Sequence, residues 1–339
     1  MYDQSRVAVV VPAYNEEGLV GTVLRTIPEF VDYVYAIDDC STDGTWDEIK
    51  RYSTHVRPDP TAELPDVDAV TDAGPVIVAL RQAENRGRGH SIKTGYRMAL
   101  RDGADVVAVM DGDGQMDPDE LDRIIEPILK GRADYTKGTR LQDGDHVADM
   151  SNWRLFGNVL LSVITNFSSG YWGLLDSQNG YTAISRTALE GIPIDELYDG
   201  YGFLNDILTM LNIGGFRIAE VPHPAVYDDE ESGIEYSSFV PAVSLLLLRN
   251  FFHRLRMQYV AEEVHVTAVC YGIGFLVLLF GVANGIGALL TAGRLLFAEF
   301  AVPLLVLGLV LCLVGVVLDI QYNAGRAYQS DPRPEPSQQ

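Results

Sequence analysis

Val106-Val107-Ala108-Val109-Met110 is an apolar run rich in β-branched side chains, and the chain then turns abruptly to Asp111-Gly112-Asp113-Gly114-Gln115. An unbroken apolar run of strand length reads as a strand covered on both faces. That confines the chain to an α/β arrangement in which helices bury a mostly parallel sheet. Ligands of such sheets bind beyond the carboxyl ends of the strands, which is where Asp111 and Asp113 stand. Hard oxygen donors there suit Mg2+ or Mn2+ held against a diphosphate. An isolated Asp-x-Asp is also what an ordinary acidic loop looks like; only matching groups elsewhere would make it a metal site. Asp117-Pro118 predicts a helix start, with Asp117 as cap and Pro118 in the first turn, running to 129.

The strand-then-polar pattern recurs. Residues 7–11 are apolar and lead into Pro12-Ala13-Tyr14-Asn15-Glu16-Glu17; residues 33–37 lead into Asp38-Asp39-Cys40-Ser41-Thr42-Asp43-Gly44-Thr45. Helices are expected over 17–27 and 45–52, a strand over 76–80 and a helix over 91–101. Strands follow over 134–140, 181–185 and 216–221, with helices over 151–167 and 200–211. This is the rhythm of a doubly wound domain. Residues 53–74, with three prolines and no periodicity, read as an inserted surface loop. In Asn85-Arg86-Gly87-Arg88-Gly89-His90 the glycines lack the dinucleotide-binding spacing, although two arginines at a helix start can help hold phosphate. No phosphate-loop signature occurs, and the six histidines are scattered.

Basic residues number 25 and acidic residues 47, a net charge of −22. Nucleic acid is thereby an unsuitable partner. The acids spread through the first 235 residues, as in a halophilic surface where salt screens self-repulsion. Cys40, Cys270 and Cys312 lack metal-ligand spacing and suit a reducing compartment.

Two apolar stretches, about 264–290 and 295–319, each reach the roughly 20 residues that cross a membrane. With Gly293-Arg294 between them they read as a hairpin. Arg249, His253, Arg254, Arg256 and Arg326 flank its open end, which places the catalytic domain and both termini on the cytoplasmic side of the cell membrane. Residues 236–262 suit an amphipathic interfacial helix with Arg249, Arg254 and Arg256 toward lipid phosphates. The expected organisation is a domain over 1–235, that helix, a membrane hairpin within 263–322 and a disordered tail over 323–339. Only two membrane helices leave room for a homo-oligomer.

Chemically, Glu16, Asp38 and Asp39, and Asp111, Asp113 and Gln115 follow three strands and can converge on one crevice. Asp39 and the backbone near Pro12 and Tyr14 could accept from a base or ribose. Arg140 and Arg154 can bind a second phosphate bidentately. Pro12-Ala13-Tyr14-Asn15-Glu16, Asp38 to Thr45, and Asp111 to Gln115, in this order, resemble the family-2 glycosyltransferases of the GT-A fold. More narrowly they are similar to dolichyl-phosphate mannosyl- and glucosyltransferases, over roughly residues 5–228.

The resemblance implies a nucleotide-sugar pocket at Pro12, Tyr14, Glu16, Ile37, Asp39 and Gly112. It implies a metal on Asp113 and Gln115, with Asp111 engaged through the diphosphate, and Arg140 with Arg154 on the lipid phosphate. The implied reaction is inverting transfer of a hexose to a polyisoprenyl (dolichyl) phosphate, with membrane lipid as a further partner. Asp206 falls where relatives with hydroxyl acceptors place a carboxylate base; an anionic phosphate acceptor needs none. The alternatives are a transferase that extends a lipid-linked oligosaccharide and a non-catalytic scaffold. Mannosyl members often carry Arg and Lys in the loop after the last strand, whereas 227–235 holds no basic residue. That favours a UDP-hexose such as UDP-glucose over GDP-mannose.

Overall fold

The computed structural model describes residues 2, 4–57, 74–140, 152–223, 236–261, 263–290 and 295–330. Its contacts divide the chain into two compact units, 1–248 with 325–339, and 249–324.

The first unit is built on strands β1 (Val7–Ala13), β2 (Tyr33–Asp38), β3 (His55–Arg57), β4 (Val76–Arg81), β5 (Val106–Val109), β6 (Tyr135–Thr139), β7 (Thr182–Ser185), β8 (Ile218–Pro222) and β9 (Ala327–Gln329). They form one sheet in the order β3-β4-β2-β1-β5-β7-β6-β8-β9. All pairs are parallel except those of β7, which runs antiparallel to β5 and to β6. Every residue of β1 is buried. Val7, Val9 and Val11 face one core with α1 (Val20–Thr26), α2 (Thr45–Tyr52) and α4 (Leu121–Leu129). Ala8 and Val10 face the other, with α3 (Arg88–Arg101) and a helix at Phe203–Ile213. Each fully buried Val or Ile contributes about 2 kcal/mol, so a strand covered on both sides is stabilised without needing alternation.

β1 pairs with β2 on one side and β5 on the other. The connections leaving the adjacent strands β1 and β5 run in opposite directions, and a crevice opens beyond Ala13 and Val109. The turn at 117 follows expectation: Asp117 Oδ1 accepts from Asp119 N at 2.9 Å ahead of a 3-10 turn at Pro118–Glu120.

The remaining helices are α5 (Asn152–Ser169), α6 (Arg186–Gly191), α7 (Phe203–Ile213), α8 (Tyr236–Tyr259), α9 (Val266–Leu290) and α10 (Leu295–Tyr322). Two expectations are corrected in the first unit. The loop 53–74 contains β3, which extends the sheet edge against β4; 58–73 lie outside the described residues. The tail expected to be disordered over 323–339 instead supplies β9, parallel to β8. Arg326 Nη1 donates to the Asn212 carbonyl of α7 at 2.9 Å, and Ser330 N to the Glu220 carbonyl at 2.8 Å. Three residues are too few to show a strand pattern, and their partner is over a hundred positions away in sequence; residues 331–339 lie outside the described residues.

In the second unit α9 and α10 pack closely. A Cβ on Gly274 would stand 2.9 Å from Cys312 N, and one on Gly308 2.7 Å from Leu278 N. Small residues thus let the backbones approach, as in helix pairs within lipid. Val266–Ala288 and Glu299–Tyr322 have mean hydropathies of 2.3 and 3.0 and most of their surface open; both are long and apolar enough to cross a membrane.

Arg254 departs from expectation. Arg249 and Arg256 are exposed, but Arg254 is fully buried and donates to Asp319 through Nη1 (2.7 Å) and Nη2 (2.8 Å). Tyr259 Oη and Asn323 Nδ2 also donate to Asp319 Oδ1. A buried guanidinium requires such a partner, and the carboxylate that supplies it lies 65 residues away in sequence.

Candidate functional site

The two loops that close β1 and β2 are stapled together by side chains. Asn15, at φ 58°, accepts from Thr42 N through Oδ1 at 2.9 Å, and its own N donates to Ser41 Oγ at 3.0 Å. Glu16 N donates to Thr45 Oγ1 at 2.7 Å, and Glu17 accepts from Gly44 N at 3.0 Å. The polar run 38–45 is therefore largely a frame for the loop 14–17. Asp38 is buried on Arg81 (3.0 Å) and faces that frame. Asp39 turns the other way and accepts from Arg86 N at 3.0 Å and Gly87 N at 2.7 Å. Gly87, at φ 92°, adopts a conformation suited to glycine.

Pro12, Tyr14, Glu16, Asp39, Asp111, Gly112 and Asp113 line one cavity of about 370 Å³ at the crevice beyond β1 and β5. Ala13, Asn85, Gly87, Arg88, Ser91, Gly200 and Tyr201 complete its wall. Ile37 instead lies in the core, one position before the polar loop, and backs Pro12 across the β1–β2 pair. Gln115 is outside the lining; its N donates to Asp113 Oδ1 at 3.0 Å, holding the acidic turn. Asp206 is also outside. It is buried in α7 and accepts from Tyr198 N at 2.8 Å, which braces the segment that brings Gly200 and Tyr201 to the wall.

Arg88 is the residue whose place the sequence left open. Its Nε donates to Asp111 Oδ1 at 2.7 Å and its Nη2 to the Gly180 carbonyl at 3.3 Å. A helix start with two arginines, following a strand by a few residues, was the available signal; which arginine turned inward was not readable.

Arg140 directly follows β6 and is outside the cavity lining. Its Nε and Nη2 bind Asp176 at 2.9 and 3.3 Å. Asp176 opens the turn 176–181, whose Gly180 meets Arg88, so one turn contacts both arginines. Burial favours the protonated Asp176, but Arg140 and Lys137 outweigh it and hold the carboxyl below its usual range. Arg154 lies on α5 with its side chain outside the described residues, as is the acidic loop 227–235. The described part of α5 exposes Val159, Leu160, Val163 and Ile164, a continuous apolar stripe. Its buried Ser162 meets Ser177 of the same turn at 3.2 Å.

Lys137 is buried beneath this turn and donates to the Asn179 carbonyl. Burial pushes its ammonium down from 10.5 to about 7, against the pull of Asp176 and Glu220. Unfolded chain keeps that proton up to about 10.5 while the folded chain releases it near 7. Between those values unfolding takes up a proton, so stability rises with pH. The melting midpoint of the protein should climb across this window, and Lys137→Met should flatten the climb. Equal slopes in the two proteins would refute the assignment.

Among the described residues no three His, Cys, Asp or Glu side chains form a ready metal cage. The donor set still fits Mg2+ or Mn2+, which take one or two carboxylates and complete their shell with water and substrate phosphate. Asp111 and Asp113, both on the cavity wall, provide that pair.

Comparison with known proteins gives the family and the fold. The model for "Glycosyl transferase family 2" matches residues 8–192. A UDP-N-acetylglucosamine–dolichyl-phosphate N-acetylglucosaminyltransferase of Methanococcus voltae is 27% identical over 74% of this chain and 94% of its own. The polyprenol monophosphomannose synthase of Mycolicibacterium smegmatis is 29% identical over 69% and 81%. Glucosyl-3-phosphoglycerate synthase of Mycobacterium tuberculosis, solved with Mn2+ and UDP, has a TM-score of 0.51 at 18% identity over 74% of this chain and 80% of its own. At that identity the likeness speaks for the GT-A fold.

Proposed function

Since the chain belongs to glycosyl transferase family 2, we propose that it transfers a hexose from a nucleotide sugar to a polyisoprenyl phosphate such as dolichyl phosphate, with inversion, at the cytoplasmic membrane face. The product would feed protein or lipid glycosylation. One arrangement carries this reading: the acidic cavity and Arg140 meet at a single turn, 176–181, in a chain that also has two helices of membrane-crossing length. The relatives named for dolichyl- and polyprenyl-phosphate sugar transfer support it. The exposed apolar stripe of α5, beside the same turn, suits a lipid-bearing acceptor.

In this reading Asp39 and the loop 12–16 receive the nucleoside, and Asp111 and Asp113 hold Mg2+ or Mn2+ against the diphosphate, with Gln115 steadying the turn. The bound metal would supply positive charge to the leaving diphosphate. Arg88, released from Asp111, would add a further donor to the same oxygens. Arg140, with Arg154, would hold the acceptor phosphate so that one of its oxygens attacks C1 from the face opposite the leaving group. That oxygen is already anionic, so no side chain must take its proton. Asp206, bound to Tyr198 N and off the cavity wall, is then a brace. We favour a UDP-hexose as donor, on the absence of basic residues in 227–235.

The test is incubation of the full-length protein in detergent with Mn2+ or Mg2+, polyprenyl phosphate and a panel of UDP- and GDP-sugars, with product masses read out. A polyprenyl-phosphate hexose from a UDP donor is expected. Transfer only to a lipid-linked oligosaccharide, or to nothing, would reject the reading.

A further inference from the structure

The chain leaves its second long helix and returns to the sheet. Ala327–Gln329 pair in parallel with Ile218–Glu220 as the edge strand β9. Gln329 Nε2 donates to Glu220 Oε2 and lies 3.5 Å from the Gly173 carbonyl. Glu220 is fully buried in β8. Its carboxylate also accepts from Leu175 N (2.9 and 3.0 Å) and from Asp176 N (3.0 Å). Asp176 in turn grips Arg140 with both oxygens. An unbroken series of donors and acceptors thus runs from the C-terminal segment to the guanidinium.

We propose that the segment following the membrane hairpin is a working part of the acceptor-phosphate site: Gln329 is a positioning residue that, through Glu220 and the backbone of Leu175 and Asp176, sets where Arg140 points. This rests on the reading of Arg140 as the acceptor-phosphate ligand.

The physical basis is the cost of burying a carboxylate. Glu220 is shut off from bulk solvent, and burial already pushes its carboxyl up from the usual range despite its donors. Each donor therefore matters more than it would at a surface. Without Gln329 the carboxylate keeps only backbone donors on one side and is free to rotate or to take a proton, and either change loosens the Leu175–Asp176 backbone. Asp176 then no longer presents both oxygens in the plane that a guanidinium fork requires. The pairing also has a topological consequence. The chain departs for the hairpin from the first unit and rejoins the same sheet, so the segment after the hairpin ends as a strand of the sheet that carries the candidate site. Detachment of β9 would act first at the Asp176 end of the turn, which holds Arg140, and only then at its Gly180 end, which meets Arg88 of the cavity wall.

The test compares full-length Gln329→Leu, Gln329→Lys and Arg140→Ala with the parent, measuring KM for polyprenyl phosphate, KM for the nucleotide sugar, and Mn2+-dependent UDP binding. Loss of a hydrogen bond to a buried charge should raise the acceptor KM of Gln329→Leu about tenfold or more. The donor KM and UDP binding should hold. Gln329→Lys, which keeps a donor facing Glu220, should recover most of the loss. If Arg140→Ala raises the acceptor KM but Gln329→Leu does not, or if Gln329→Leu raises the donor KM in parallel, the positioning role is overturned. An unchanged acceptor KM in Arg140→Ala would overturn the reading of Arg140 itself, and the role of Gln329 with it.

Discussion

Asp113→Asn should abolish sugar transfer while leaving the acidic turn folded. The amide keeps an oxygen where Asp113 Oδ1 now accepts from Gln115 N at 3.0 Å, so the local hydrogen bond survives. What disappears is one of the two carboxylate charges on the cavity wall that suit a divalent cation. A metal at a leaving diphosphate stabilises the departing charge by several kcal/mol, and each 1.4 kcal/mol is about tenfold in rate. A fall in kcat of about a thousand-fold is therefore expected, together with weakened Mn2+ binding read by the paramagnetic signal of the free ion. An unaltered melting midpoint would separate this from unfolding. Retention of full activity would remove Asp113 from the metal site.

The second large effect lies far from that chemistry. Arg254 and Asp319 are both fully buried, and their pairing is completed by Tyr259 and Asn323. Removing one member leaves an uncompensated charge, which costs about 3–5 kcal/mol. Arg254→Ala and Asp319→Ala should each lower the melting midpoint sharply in detergent and open the hairpin unit to protease. Replacing both, as Arg254→Met with Asp319→Leu, removes charge and countercharge together and should recover most of the loss. A double variant no more stable than the singles would show that the pair is not the source of the effect. Interfacial placement toward lipid phosphates, expected for Arg254 from its spacing, would instead predict loss of membrane binding without loss of stability.

Much of the catalytic unit was legible because its signals are local. A run such as Val7–Val11, short and rich in β-branched residues, reads as a doubly covered strand, and Pro12 to Glu17, Asp38 to Thr45 and Asp111 to Gln115 announce the ends of three of them. The convergence of Tyr14, Asp39 and Asp113 on one cavity follows from sheet topology once those strands are parallel. The division of labour within a motif was less visible. Adjacent Asp38 and Asp39 look alike in sequence, yet one is buried on Arg81 and the other faces the cavity, because successive strand-end residues point to opposite sides.

The remainder depended on partners distant in the chain. β7 is antiparallel to both neighbours, which four residues do not encode. Arg88 reaches Asp111, Arg140 reaches Asp176, and Gln329 reaches Glu220 across separations of 23, 36 and 109 residues. Sequence by itself determined the strand-and-acid frame, the family resemblance and the two helices of membrane-crossing length, since each is written in contiguous side chains. Only the tertiary structure decided which charges neutralise one another, that Arg254 is internal and that Ala327–Gln329 form a strand. Burial selects partners by proximity in space, and a chain's spacing along itself carries no record of that.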